Sequence, residues 1–316
     1  LVLALVLATA SSSNFAQTAA VPASSAVSAV SIEEFVRLPQ FSNPRLSPDG
    51  RFIAVTIPIA GRLNLAVVDM DTRKGTALTN YREFDVLFPV WVGNDKLLFT
   101  LGQQNSPTGP GQFDGGGLFM VSRDGKDFKK FYPTVRENRG ANKRYRGLDF
   151  ERRIPGNTNE VIASGNLRSS DSDDLYRLDL RTGRATLITA DRPDYADDWI
   201  LDNNLVPRVV TSWVKDTNTF KVFYRSAEGA PWREIGRIDR TAGTALVPLA
   251  FYNDNKTLLV ASNQGRDTMA VFKFDPETAT LGEMLAQHPR YDMGANVLGD
   301  SVPGVIREPE TDRLLG

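Results

Sequence analysis

A two-part strand signature recurs along this chain about every 50 residues, and that period restricts the fold more than any other feature. The first part is a tight polar turn that feeds an apolar strand: Ser47-Pro48-Asp49-Gly50 then RFIAVTI, Gly93-Asn94-Asp95 then KLLFTL, Gly156-Asn157-Thr158-Asn159 then EVIASG, Asp202-Asn203-Asn204 then LVPRVVTSW, and Asn253-Asp254-Asn255 then KTLLVAS. The second part is an alternating strand, a polar turn and another strand, beginning at Leu65, Leu118, Leu175, Lys221 and Ala270. Asn, Asp and Gly suit these turns because they tolerate left-handed backbone and bond locally to it. A unit of about four strands cannot bury its faces alone and must stack on its neighbours, which is the requirement of a β-propeller. A β-sandwich gives no reason to repeat one hairpin five times in the same order. The expectation is an all-β chain: a β-propeller with five four-stranded blades visible, preceded by one short helix. A sixth blade begins at Glu308-Pro309-Glu310-Thr311-Asp312 followed by RLLG and is interrupted at Gly316. An interrupted blade exposes an unpaired strand edge, so the chain is expected to be part of a longer protein.

The N-terminus has a different character. Leu1 to Ala10 (LVLALVLATA) is apolar, and small and polar residues follow through Ala29, the pattern of a secretory signal and its cleavage zone. Small-residue cleavage sites occur at Ala8-Thr9-Ala10 and between Ala16 and Ala20. Export to the periplasm or medium is therefore expected, with residues 1–30 as a signal-like segment and linker and 31–316 as the propeller domain. Ser31-Ile32-Glu33-Glu34 fits a helix N-cap with Glu at N3, and Pro39 closes that segment. The insertions Gly102–Gly117 and Pro133–Gly147 read as loops, the second carrying Arg136, Arg139, Lys143, Arg144 and Arg146 against Glu137.

Composition narrows the chemistry. The 316 residues hold 37 Lys and Arg against 38 Asp and Glu, so no global charge draws nucleic acid or anionic lipid. No Cys is present, which removes disulfides, thiolate nucleophiles and Cys-ligated metals, and the single His leaves little for imidazole-held metals. A nucleophile elbow needs G-x-S-x-G, and Gly299-Asp300-Ser301-Val302-Pro303 puts proline at the second glycine. His288, the base that any Ser-His triad would need, reads as a surface or inter-blade histidine. Gly125-Lys126 is followed by Asp127, not Ser or Thr, so it is no phosphate loop, and Gly115-Gly116-Gly117 reads as a flexible turn. Asp171, Asp173 and Asp174 lack the glycine and closing Glu of a calcium loop and read as a solvated hairpin tip. The basic insertion is expected to face water, the other use being to bind a substrate carboxylate or a partner. No catalytic, cofactor-binding or metal-ligating residue is assigned, and no cofactor is expected.

The stretch Pro44-Arg45-Leu46-Ser47-Pro48-Asp49-Gly50-Arg51-Phe52-Ile53-Ala54 resembles the blade signature shared by TolB-type propellers and the N-terminal propellers of prolyl oligopeptidase-family (S9) serine peptidases. Its setting is more specific: SIEEFVRLP directly before the first blade, Trp199 with Asp202 and Arg208 entering a middle blade, and GVIREPETDRLLG near the end. That order, over roughly Ser31 to Gly316, is similar to secreted bacterial peptidases of this family. The resemblance implies a propeller capping a C-terminal α/β-hydrolase domain that carries the Ser, Asp and His of the triad, with peptides as substrates. That domain has no counterpart in this chain, so no catalytic residue carries over. The dipeptidyl peptidase IV branch holds the substrate amino terminus with a Glu pair from a propeller insertion; the adjacent pair here, Glu33-Glu34, lies in the leading helix and does not support that specificity. The expected role is a substrate-gating domain of an exported peptidase, the alternative a non-catalytic TolB-like periplasmic binding propeller. A propeller enzyme with a channel metal is a third reading, which the shortage of His opposes.

Overall fold

Twenty strands run in chain order through five antiparallel meanders in the computed structural model, which describes residues 31–35, 37–103, 114–295, 305–306, 308 and 313–316. The first comprises β1 (Ser42–Leu46), β2 (Phe52–Ile59), β3 (Arg62–Asp69) and β4 (Gly75–Ala77); the second β5 (Asp85–Val92), β6 (Lys96–Gly102), β7 (Gly116–Ser122) and β8 (Phe128–Tyr132). The third has β9 (Leu148–Arg153), β10 (Glu160–Ser169), β11 (Ser172–Asp179) and β12 (Ala185–Leu187), and the fourth β13 (Ala196–Leu201), β14 (Pro207–Trp213), β15 (Thr219–Tyr224) and β16 (Arg233–Asp239). The fifth has β17 (Thr244–Phe251), β18 (Leu258–Ser262), β19 (Ala270–Asp275) and β20 (Thr280–Ala286). The connection Arg240–Gly243 is so short that β16 and β17 pair at their ends, Ile238 with Ala245 and Asp239 with Thr244, and the last two meanders form one eight-stranded sheet. Among the described residues no strand pairs the fifth meander with the first.

The core lies between meanders. Phe52, Leu65 and Val67 of the first meet Trp91, Leu97, Phe99 and Phe119 of the second. Leu98, Leu118 and Met120 meet Leu148, Val161 and Leu178; Ile162 and Leu175 meet Trp199, Leu201 and Val210; Val209, Val222 and Tyr224 meet Val247, Phe251 and Val260. Successive meanders cover one another's apolar faces; β18 is buried at every residue, whereas β4, last in its meander, is exposed at every residue. First strands lie beside first strands, β1 by β5 and β13 by β17, which makes them the inner ones.

The polar turns that announced the repeat also join the meanders. The Asp49 amide donates to Asn94 Oδ1 at 3.0 Å, Lys96 Nζ to the Thr158 carbonyl at 2.7 Å, and the Asn203 amide to Asn255 Oδ1 at 2.7 Å. After the fifth meander, the Leu315 amide donates to the Ile306 carbonyl and the Glu308 amide to that of Arg313, and Leu314 is buried against Ala250 and Leu259. These contacts lie where the signature restarts, without a strand assigned among the described residues there; residues 309–312 of the expected turn lie outside the described residues.

Three local readings are corrected. The insertion Pro133–Gly147 contains a helix, α2 (Val135–Gly140; the leading helix is α1, Ile32–Phe35), opened by a reciprocal Thr134–Glu137 capping box that was legible as T-x-x-E. Gly116 and Gly117 are not a flexible turn but the start of β7, and a Cβ on neighbouring Gly115 would lie 2.3 Å from the Leu101 carbonyl oxygen. Asp174 is fully buried rather than part of a solvated tip. In the leading helix the Glu34 amide does bond Ser31 Oγ at 3.1 Å, as the N-cap pattern required. A compact unit spans Pro39–Gly316. No described helix is long and apolar enough to cross a membrane, and the apolar run Leu1–Ala10 lies outside the described residues.

Candidate functional site

Four antiparallel strands return the chain to the side on which it started, so every meander is entered and left on one face, here the connection side. Three carboxylates gather there by the same positional rule: Asp149, Asp173 and Asp197 are the second residues of β9, β11 and β13. Glu151 follows two residues after Asp149, at a bulge where β9 loses its register with β10. Burial first, and then the charges of Asp197, Asp149, Asp198 and Asp174, push the Asp173 carboxyl up to about 6. Burial also drives Glu151 up to about 7; a Ser164 hydrogen bond and the Arg152 charge oppose it, and Asp198 and Asp149 add to it. Asp149 and Asp197 are raised as well, each chiefly by burial, Arg240 opposing at Asp197.

These strands are held firmly. Trp199 is 4% exposed, and its Nε1 donates to the Asp173 carbonyl at 3.0 Å, tying β13 to β11 beside the cluster. Arg153 Nε donates to the Trp91 carbonyl and Arg152 Nη1 to that of Leu201, so the two arginines that follow Glu151 brace neighbouring meanders. Glu151 lines a cavity of about 260 Å³ between β9 and β13, with Phe150, Trp199 and Leu249 on its walls. Behind the cluster, buried Asp174 receives Arg168 through Nε (3.0 Å) and Nη2 (2.7 Å), Arg192 Nε (2.8 Å) and Thr189 Oγ1 (3.1 Å). That network anchors the connection leading to Tyr195. Carboxylates poised near neutrality suit binding a cation or exchanging a proton. Among the described residues no group of three or more Asp, Glu or His is placed to hold a metal ion.

The residues that sequence reasoning singled out are scattered. His288 stacks on Tyr291 with centroids 4.7 Å apart, and its Nδ1 accepts from the Arg290 amide, a local turn far along the chain from the cluster. Ser301 lies outside the described residues. Two cations of the basic insertion are paired: Arg136 meets Glu83 at 2.6 Å and Asp114 at 3.2 Å, and Arg139 meets Asp114 at 2.6 Å, while Lys143 and Arg144 are exposed. Asp202 accepts from the Asn204 and Val206 amides of its own turn and pairs with Arg208, whose guanidinium lies 4.8 Å from the Phe251 ring centre, so both are structural. Of the three aspartates compared with a calcium loop, Asp171 alone sits at the exposed hairpin tip. Asp149, Glu151 and Asp197 were missed. Aligning the repeats would have found two of them, because the second residue of the inner strand is Asn43, Val86, Asp149, Asp197 and Ala245 in turn, acidic in the third and fourth meanders alone.

Comparison with known proteins places the architecture. Against the solved structures, the chain superposes on an oligogalacturonate lyase in complex with manganese with a TM-score of 0.53 at 12% identity, covering 88% of this chain and 74% of that one. The fold is propeller-like. A puromycin hydrolase matches with a TM-score of 0.50 at 12% identity, covering 88% of this chain and 47% of that one. By sequence, the chain is 23% identical over 277 residues to dipeptidyl aminopeptidase BIII of Pseudoxanthomonas mexicana, a match covering 87% of this chain. The chain spans little more than a third, 37%, of the length of that curated relative. No family model matches. The similarity is thus to a peptidase by sequence and to propeller-like proteins by fold.

Proposed function

We propose that this chain is the propeller part of an exported serine peptidase of the prolyl oligopeptidase type, and that it gates the access of peptides to a catalytic domain outside it. The observation that carries this reading is the sequence similarity to a dipeptidyl aminopeptidase over 87% of the chain, which accounts for only 37% of that relative. Topology supports it. A domain continuing from a meander leaves on the connection side, and the strained carboxylates stand on that side, where they would face it. Chemistry would then belong to the other domain: a serine hydroxyl attacks the scissile carbonyl, a histidine moves the proton, an aspartate orients the histidine, and backbone amides hold the oxyanion. The propeller would admit oligopeptides and exclude folded proteins.

The test is made on the natural protein, captured with an antibody to this chain and treated with a fluorophosphonate probe. A labelled serine outside residues 1–316, with cleavage of oligopeptides and sparing of folded globular proteins, is the expected result. Equal cleavage of folded proteins removes the gating role. An unlabelled protein whose reading frame closes one or two blades after Gly316 removes the peptidase and leaves a TolB-like binding propeller. Recovery from the periplasm or medium tests export.

A further inference from the structure

Beside the acidic cluster a cavity of about 360 Å³ opens on the connection side, walled by Tyr195, Trp213 and Phe220 and bordered by Asp171, Asp173 and Asp197. Its aromatic walls are fixed before any ligand arrives. Trp213 Nε1 donates to the Thr217 carbonyl at 2.8 Å and its amide to the Tyr195 carbonyl at 2.9 Å, while the Tyr195 and Trp213 rings stand edge to face, 5.9 Å apart at 89°. Tyr195 itself is held at φ 54°, a left-handed conformation that costs a bulky residue energy and tends to persist at sites of function. Trp213 remains 36% exposed although it is the largest side chain at hand. Phe220 already shows what such a ring accepts: the Arg240 guanidinium lies 4.7 Å from its centre. Among the described residues no cation stacks on Trp213 or Tyr195, and no hydrogen bond or ion pair reaches the Asp173 or Asp197 carboxylate. Arg240 bears on Asp197 and Arg192 and Lys215 on Asp171 only at longer range.

We propose that this cavity takes the guanidinium of an arginine side chain, stacked on the Trp213 indole and bonded to Asp173 and Asp197. A planar, weakly hydrated cation with a fork of donors fits a wall that is aromatic on one side and carboxylate on the other. An anion is repelled, and a neutral apolar group would bring the half-buried Asp173 and the exposed Asp197 no partner for their charge. Read with the proposed peptidase, the pocket selects peptides that present arginine to the gate. The binding belongs to this chain alone and is measured without any hydrolysis, so a failure here and a failure of the peptidase reading are separate results.

The experiment is calorimetric titration of the chain with N-acetyl-arginine methylamide, with its citrulline counterpart, which keeps the shape and loses the charge, and with glycylglycine, which offers an amino terminus and no side chain. Binding of the arginine compound, with the citrulline compound about tenfold weaker or worse, is expected. Trp213→Leu and Asp173→Asn are each expected to weaken arginine binding about tenfold while leaving the far-ultraviolet circular dichroism unchanged. If Trp213→Leu does not fold, Asp173→Asn and Asp197→Asn carry the test. Equal affinity for arginine and citrulline, binding of glycylglycine as tight as that of arginine, no binding at all, or indifference to the folded variants overturns the proposal.

Discussion

Glu151 makes the fold's stability depend on pH in a direction opposite to that of most carboxylates. Its pKa is raised from 4.5 to about 7, chiefly by burial between β9 and β13. Between those values the native chain holds a proton that the unfolded chain has released, so native stability falls as pH climbs through the window and levels off above it. A carboxyl moved from 4.5 to about 7 corresponds to about 3 kcal/mol of stability present near pH 4.5 and missing at pH 8. Glu151→Gln keeps the shape and the bond to Ser164 and cannot ionise. The substitution is expected to leave stability nearly unchanged at pH 4.5 and to raise it by about 3 kcal/mol at pH 8. Urea unfolding followed by tryptophan fluorescence at half-unit pH steps reads both slopes. A wild-type profile flat or rising from pH 5 to 8, or a variant whose profile parallels it, refutes the claim that Glu151 is buried at the expense of its charge.

Other substitutions probe the frame around the cluster. Asp174→Ala strands the Arg192 guanidinium, 9% exposed, and half-buried Arg168, and is expected to cost about 3 kcal/mol in urea unfolding, with Asp174→Asn costing less. A Cβ at Gly165 would meet the Gly147 carbonyl oxygen at 2.1 Å, so Gly165→Ala must push β9 away from β10 and should lower stability by about 2 kcal/mol. Gly75→Ala meets nothing nearer than a Val68 methyl at 3.9 Å and should stay within about 0.5 kcal/mol of the parent. Equal effects of the two glycine substitutions in thermal unfolding would contradict the strand approach on which the acidic wall rests.

The repeat was legible because each meander needs the same turn. Asp49, Asn94, Asn203 and Asn255 occupy polar turns that every copy requires and that bond one another across the sheets. Continuous apolar runs such as KLLFTL and TLLVAS likewise marked the strands that are buried on both faces. The candidate site was not legible in the same way. Asp149 and Asp197 begin strands that sequence alone marks only as polar on one side; their significance comes from β9, β11 and β13 starting on the same side of adjacent meanders. The aspartate triplet at 171–174 was read from charge as one solvated tip, yet alternation along β11 splits it, sending Asp174 to two arginines and Asp173 to the cluster. Arg136 and Arg139 read as free cations because their partners Glu83 and Asp114 lie on other elements.

The first and third meanders show what these charges are for. Both use one buried device: the Leu65 amide donates to Thr79 Oγ1, and the Leu175 amide to Thr189 Oγ1, each at 2.9 Å. In the first meander the residue before that leucine is Asn64, which accepts from Thr79 Oγ1 and the Tyr81 amide and donates to the Tyr81 carbonyl, satisfying itself without any charge. In the third it is Asp174, which needs Arg168 and Arg192 to be tolerated. The frame therefore closes without a carboxylate. Adding one there, and then placing Asp173, Asp149, Asp197 and Glu151 near it with their pKa values raised, lowers stability at neutral pH with no gain in packing. A fold that violates its own repeat at a single place, in the direction of unfavourable charge, does so where something else is gained. The gain that fits these groups is attraction of a cation to the connection side, and the raised carboxylates should fall back toward their ordinary values when that cation binds.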